Sequence, residues 1–429
     1  MGKRIRNSNW NVYAVTFLIF LLIFQANAFN VSAESFKTKA ESAIIVEVDS
    51  GKVLYEKNAD EALPPASMTK MMTEYIVLEK VASGEISWDD TTQISDYAYE
   101  ISGNDAFSGV GLIQDKDYTI LELYEAMAIN SDNATTIAIA EYISGSEGEF
   151  VKLMNEKAEE MGLPDYKFVN STGLDNESLD GKHPEGTKAD DTNLLSARSA
   201  ALLAYRLIKD YPEVLEISSV PETTFDEQTI ENWNWMLPHE KTFLKQYYYE
   251  GIDGLKTGHT DLAGYTFTST AERDGRRLIT VVMKTDSIDD RFHETAKLLD
   301  FGFDKFEEVE LFEAGYQLKG EETLPVLKGK EEEVAIGLED SITQSIQKGT
   351  EDLYSIVYHL DKNELEAPVK KGEVVGKAEV VFDDGKELGY IENNNEKGTF
   401  VDIVIAEDVD KKGWFALLID AFKQLFKGD

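Results

Sequence analysis

The spacing of apolar residues changes along the chain, and each change predicts a different kind of element. Ile44, Val46 and Val48 alternate with other positions, as do Val53 and Tyr55, and Asp49-Ser50-Gly51 separates the two runs, so a β-hairpin is expected. From Met68 to about Lys209 helical spacing dominates, as in "TILELYEAMAI" (119–129) and "NATTIAIAEYI" (133–143). Strand patterns return near Gly251 with "GLKTG" and "GYTFTSTAERDGRRLITVVMKT", where Arg273-Asp274-Gly275 reads as a tight turn, and the helical run "IDDRFHETAKLLDFGFDKF" follows. Strands, then helices, then strands predict an α+β domain: an antiparallel sheet drawing strands from both ends of the segment, with a helical subdomain.

Past about Phe306 the runs shorten. "EVAIGLE", "LYSIVYHL", "VVGKAEVVF", "KELGYIE" and "TFVDIVIAE", separated by Gly, Asp and Lys, predict a small all-β domain. The last segment, "KKGWFALLIDAFKQLFKGD", places Trp414, Phe415, Leu418, Phe422, Leu425 and Phe426 three to four residues apart. It is too short and too charged to span a membrane. Lys411, Lys412, Lys423 and Lys427 reverse the local charge of an acidic chain, which favours an amphipathic helix lying in a membrane interface over a helix docked on its own domain. At the other end, Lys3, Arg4 and Arg6, the apolar run Val12 to Phe24, and the small-residue sites ending at Ala28 and Ala33 form a secretory signal pattern. The expected organisation is 1–33 signal peptide, 34–305 α+β domain, 306–408 all-β domain and 409–429 amphipathic helix. Its expected location is the outer face of the cytoplasmic membrane.

Composition narrows the chemistry. Among 429 residues there is no Cys, which excludes disulfides, thiol nucleophiles and zinc fingers. A formal charge of −39 repels nucleic acid and keeps the chain soluble. The five His residues form no H-E-x-x-H, and neither a G-x-S-x-G elbow nor a phosphate-binding Gly-Lys loop is present.

What remains is a set of short motifs. Ser67 and Lys70 stand three apart where a Pro64-Pro65 approach meets the start of a helical run. A serine there sits in a field that favours developing negative charge, and a lysine one turn on shares its face. Partial burial near other cations would leave that lysine neutral enough to accept the serine proton. Ser345 and Lys348 have the same spacing but lie in the β-rich tail. Ser131 and Asn133 sit between two helical runs, whereas the equally spaced Ser102 and Asn104 lie in a polar loop. Lys256-Thr257-Gly258 begins a strand, and its glycine permits close approach of a substrate. Taken alone, Ser131 reads as a cap for the helix beginning "DNATTIAIA", and Lys256 as a surface lysine.

In this order and these contexts the three motifs resemble those of the penicillin-recognising acyl-serine enzymes. The finer resemblance is to the low-molecular-mass penicillin-binding proteins, the serine-type D-alanyl-D-alanine carboxypeptidases. It rests on "PPASMTKMMT", "NSDNATTIAIAE", "FVNSTGL" (168–174), the stretch 253–283, the trailing β-domain and the amphipathic end, and so covers nearly the whole chain.

The resemblance implies a β-lactamase/transpeptidase-like fold. It implies Ser67 as nucleophile, Lys70 as general base and Ser131 as proton relay, with Asn133 holding Lys70 and the substrate amide. Lys256 and Thr257 would bind the terminal carboxylate, beside Gly258. The backbone N–H groups of Ser67 and His259 would form the oxyanion hole. Asp132, the variable middle residue, is given no chemistry. Peptidoglycan stem peptides, β-lactams and a membrane surface are the expected partners, with no cofactor, metal or nucleic acid. Two other functions fit the same motifs: a β-lactamase, and a non-catalytic penicillin or muropeptide sensor. Between the second and third motifs no Asn is preceded by Glu at the i−4 position, which counts against a class A β-lactamase.

Overall fold

The computed structural model describes residues 36–383, 388–392 and 400–425. The expected signal peptide, residues 1–33, lies outside the described residues, as do Phe426 and Lys427 of the terminal segment. Five strands build the main sheet: β1 (Ser42–Glu47), β2 (Val53–Lys57), β3 (Ile252–Thr260), β4 (Gly264–Arg273) and β5 (Arg276–Thr285). Their spatial order is β2-β1-β5-β4-β3, so the N-terminal hairpin joins strands that come some 200 residues later. Antiparallel register pairs Ile44 with Val281, Val281 with Thr268, and Thr268 with Lys256. Asp274 and Gly275, both at positive φ, close the β4–β5 hairpin as a two-residue turn.

The alternation at Ile44 and Val46 does not mark one wet face, because every residue of β1 is buried. Ile44, Val46, Ile279 and Val281 pack into the large helical core. The other face carries Ile45 and Leu278, which meet helix α3 (Ile288–Lys305) at Gly302. With both faces covered, the sheet is a rigid plate, and α3 packs along β4 and β5.

The helical region holds α1 (Lys70–Ser83) and α2 (Asn133–Ser144). The run 119–129 is not one α-helix: it is α-helical over Ile120–Glu125 and widens into a π turn over Ala126–Asn130. Ser131 follows at φ 64°, turning the chain sharply before α2 begins.

The β-rich tail forms a six-stranded sheet. In spatial order its strands are Tyr354–Leu360, Val374–Phe382, Phe400–Ile405, Glu333–Leu338, Thr323–Leu327 and Leu365–Glu366. Ile336, Ala378, Ile403 and Ile405 fill its core. A separate two-stranded ribbon pairs Phe306–Phe312 with Ile342–Gln347. "KELGYIE" does not supply a strand to this domain: its described part, Leu388–Glu392, reaches instead to the first hairpin. There Val53 N–H donates to Gly389 O (2.9 Å) and Ile391 N–H to Gly51 O (2.8 Å). Ile391, 4 % exposed, enters the core of the α+β domain. Its apolar alternation therefore marks a docking loop.

Helix α4 (Trp414–Leu425) leaves five large apolar residues uncovered, Trp414 (75 % exposed), Phe415 (65 %), Leu418, Ile419 and Phe422 (57 %). No helix among the described residues is long and apolar enough to cross a membrane.

Candidate active site

Ser67 lies in a 3₁₀ turn, Ala66–Thr69, immediately before α1. The helix proper starts at Lys70, so nucleophile and lysine straddle the junction. Lys70 Nζ is 3.1 Å from Ser67 Oγ and donates to Asn133 Oδ1 (2.9 Å) and to the Thr172 carbonyl (2.8 Å). Two of these partners only accept. A neutral amine has two N–H donors for those carbonyl oxygens and one lone pair left for a hydroxyl proton. Burial pulls the Lys70 pKa well below that of a free lysine, and the nearby Lys256 charge pulls it further, against Asp132, Glu74 and Glu147. The side chain is completely buried, more so than the sequence led us to expect.

Ser131 is not a helix cap. Asp132 caps α2, accepting from Thr135 N–H at 2.6 Å, and its other oxygen accepts from Val110 N–H at 2.6 Å. The aspartate thereby ties the loop 102–111 to the Ser131 turn, a structural role invisible in the motif. Ser131 Oγ is left buried with no hydrogen-bond partner. Asn133 Nδ2 donates to Ser108 O at 3.1 Å, which fixes its oxygen toward Lys70.

Lys256-Thr257-Gly258 does not begin a strand but sits in the middle of β3, paired with Thr268, Phe267 and Thr266. Thr266 Oγ1 donates to Pro65 O (3.0 Å), which ties the sheet to the chain leading into Ser67. A Cβ at Gly258 would lie 2.7 Å from Pro65 O and 3.0 Å from Ser67 N, so only glycine lets the strand run this close to the nucleophile. Lys256 is no surface lysine: it is 2 % exposed, and burial lowers its pKa to about 8 against the opposing pull of Glu74.

A cavity of about 230 Å³ opens over this junction, lined by Ser67, Ser131, Asn133, Thr257, Gly258 and His259. Lys70 and Lys256 lie behind its wall. The structure thus brings all eight predicted residues to one place. The look-alike motifs stay apart: Ser102 Oγ accepts from Leu112 N–H and Asn104 Oδ1 from Ala106 N–H, both local loop contacts.

Three groups at the site lie outside the Ser67–Lys70, Ser131–Asn133 and Lys256–Gly258 motifs. Arg291 of α3 lines the cavity at 3 % exposure, donates to the Gly258 carbonyl at 3.2 Å, and keeps its Nε without a partner. No carboxylate pairs with it among the described residues; burial lowers its pKa, but a guanidinium stays charged at neutral pH. Glu74, one turn beyond Lys70, is buried, and its pKa rises to about 7. The segment 168–174 forms a polar cradle: Asn193 Oδ1 accepts from Val169 N–H and Asn170 N–H, and Asn170 Oδ1 accepts from Gly173 N–H. This network aims the Thr172 carbonyl at Lys70. The isolated arginine in "IDDRF" gave no signal, because its partner is a strand carbonyl far away in sequence.

A model of the D-alanyl-D-alanine carboxypeptidase family matches residues 27–287. The chain belongs to that family. It is accordingly a hydrolase, and the β-rich tail, residues 306–411, matches the C-terminal domain of penicillin-binding protein 5. D-alanyl-D-alanine carboxypeptidase DacF of Bacillus subtilis is 32% identical over 381 residues, 89% of this chain and 88% of that one. A peptidoglycan synthesis regulatory factor, PBP3, of Streptococcus pneumoniae is 35% identical with a TM-score of 0.68, covering 87% of this chain and 100% of its own. Penicillin-binding protein D2 of Listeria monocytogenes, in an ampicillin-bound form, is 32% identical with a TM-score of 0.52, covering 63% of this chain and 99% of its own.

Proposed function

We propose that the chain removes the terminal D-alanine from peptidoglycan stem peptides through an acyl-enzyme on Ser67, and that β-lactams acylate the same serine. The observation that carries this is the three-way coordination of Lys70 Nζ, which leaves its lone pair for the Ser67 hydroxyl. Ser67 Oγ attacks the carbonyl of the penultimate D-Ala as Lys70 takes its proton. The backbone N–H groups of Ser67 and His259 hold the oxyanion, each worth about 10²–10³ in rate. The C–N bond then breaks, and the departing amine receives a proton through Ser131, whose unpartnered buried hydroxyl suits a relay completed by substrate. Water hydrolyses the ester and regenerates Ser67.

The departing residue's carboxylate faces Thr257 and Arg291 at the cavity wall, while Lys256 acts from behind as part of the positive field. Incubation with a peptide ending in D-Ala-D-Ala should release D-Ala in step with enzyme turnover. Stable penicillin labelling without any release would favour the sensor function instead.

The same charges set a pH profile. Lys256 carries its proton below about 8 and loses it above. Its charge attracts the substrate carboxylate, so kcat/KM is expected to fall as pH rises through about 8. The acidic limb belongs to Lys70, whose pKa is lowered and which must be neutral to act. A rate that climbs steadily to pH 10 would remove Lys256 from carboxylate recognition.

Residues 34–305 are proposed as the catalytic domain and 306–408 as a support that holds it away from a membrane. Helix α4 provides the anchor: Trp414, Phe415, Leu418 and Phe422 are all exposed, and Lys411 and Lys412 precede them. The secretory pattern of residues 1–33 together with such an anchor supports a location outside the cytoplasm, on the outer face of the membrane. A protein spanning 34–429 should sediment with anionic lipid vesicles, and one ending at 410 should stay in the supernatant; sedimentation of both would discard the anchor.

A further inference from the structure

Behind the wall of the catalytic cavity, α1 carries a carboxylate to which the reaction as described gives no part. We propose that Glu74 is a positioning residue: its buried carboxylate acts through Lys256, keeping that side chain cationic so that it can attract the carboxylate of the substrate. The inference rests on the carboxypeptidase reading and deepens it.

Placement comes from the helix. Glu74 stands four residues after Lys70, and positions i and i+4 share one helix face. Helix α1 packs on β3, whose middle carries Lys256. Glu74 is 3 % exposed, and Lys256 is as deeply buried. Among the described residues neither side chain makes a direct ion pair or hydrogen bond with any other group. A buried ammonium without a direct anion gives up its proton readily, unless a charge of opposite sign lies close by. Burial favours the neutral form of both groups, and each opposes that pull on the other: the Lys256 charge on Glu74, and the Glu74 charge on Lys256.

The surrounding charges make Glu74 specific to Lys256. Arg291 of α3 acts on Lys256 in the same direction as burial, toward loss of the proton, and Glu74 is the carboxylate set against both. Lys70 also feels Glu74, but Asp132 and Glu147 support it as well. Removal of Glu74 therefore leaves Lys70 with two carboxylates and Lys256 with none among the described residues. Tyr124, from the helix Ile120–Glu125, faces Glu74 as a neutral phenol, because burial raises its pKa; its hydroxyl is buried without a partner. It brings no charge that could replace the carboxylate.

The test is the pH profile of D-Ala release by Glu74→Gln, which removes the charge and keeps the shape. Without the Glu74 charge, Lys256 releases its proton at lower pH. Nearby opposite charges shift such groups by about 1–3 pH units, and with no direct ion pair the lower end applies. The alkaline limb of kcat/KM is thus expected to move down by about one pH unit, with a loss of about tenfold above about pH 9. The loss should appear in KM rather than kcat, because Lys256 binds a carboxylate present throughout the step. Below about pH 6 Glu74 is itself protonated, so there the two proteins should agree. Glu74→Asp, which keeps the charge, should restore most of the limb. Glu74→Ser, small and uncharged, should displace it as glutamine does, and serves if Glu74→Gln does not fold. An unmoved limb in a folded, uncharged variant would overturn the proposal and leave Glu74 a packing role. So would Glu74→Asp displaced as far as Glu74→Gln, or a kcat/KM raised at every pH, which would make Glu74 a competitor for Lys256. No D-Ala release by the unaltered protein would overturn the carboxypeptidase reading itself, and this inference with it.

Discussion

Ser67→Ala is expected to reduce D-Ala release by about 10⁴–10⁶-fold, the loss typical of removing the nucleophile from a unit whose members act together. The fold should be unchanged, because Ser67 contributes one hydroxyl to a 3₁₀ turn that is held by backbone bonds and by Thr266. The deletion leaves Lys70 bonded to Asn133 and Thr172, so the base stays in place with nothing to deprotonate. Ser345→Ala is the matched control. Ser345 lies in the strand Ile342–Gln347, where its Oγ accepts from Arg276 at 3.4 Å, and Lys348 follows just beyond the strand. Residues three apart along a strand project to opposite faces, so this pair cannot meet as Ser67 and Lys70 do. D-Ala release should be normal in Ser345→Ala; an equal loss in both variants would mean that the assay reads folding rather than chemistry.

Gly173→Ala is expected to cost about 2–5 kcal/mol of stability, from a left-handed backbone position and from overpacking. Gly173 has φ +88°, and a Cβ there would fall 1.9 Å from the Ala66 carbonyl oxygen and 2.4 Å from its carbon. That contact is with backbone, so no side-chain rotation relieves it. Either the 168–174 segment withdraws, taking the Thr172 acceptor from Lys70, or the Ala66–Ser67 turn shifts. Both routes damage the lysine–serine pair, so penicillin acylation should slow even where the variant remains folded. Thermal melting and acylation rate together check this: a variant with unaltered melting temperature and normal acylation would show that the segment is not the back wall of the site. Since a whole domain is stable by only about 5–15 kcal/mol, the predicted loss is large.

The strands and helices were legible wherever one face was wet or a turn was chemically marked, as at Asp274-Gly275. Burial on both faces hid the true inward positions of β1. The loop 388–392 read as a strand because its apolar residues alternate, yet Ile391 is apolar to fill another domain's core. At the site, the Ser, Lys and Asn residues were recoverable because local order and spacing place them on one helix start, one turn and one strand. Arg291 and Glu74 were not recoverable: each acts through long-range contacts that leave no periodic trace. The stretch 168–174 was legible as part of the family resemblance, but the hydrogen bonds by which Asn170 and Asn193 hold it were not. Asp132 showed in the sequence only as the motif's variable residue; its structural work, holding one backbone N–H of α2 and one of the loop 102–111, left no mark there.

The most direct test of the account is to trap the protein with a β-lactam, digest it and locate the adduct by mass spectrometry. One ester, on the peptide carrying Ser67, is the predicted result. An adduct on Ser131 or any other serine, or none at a concentration that saturates labelling of a related carboxypeptidase, would contradict it.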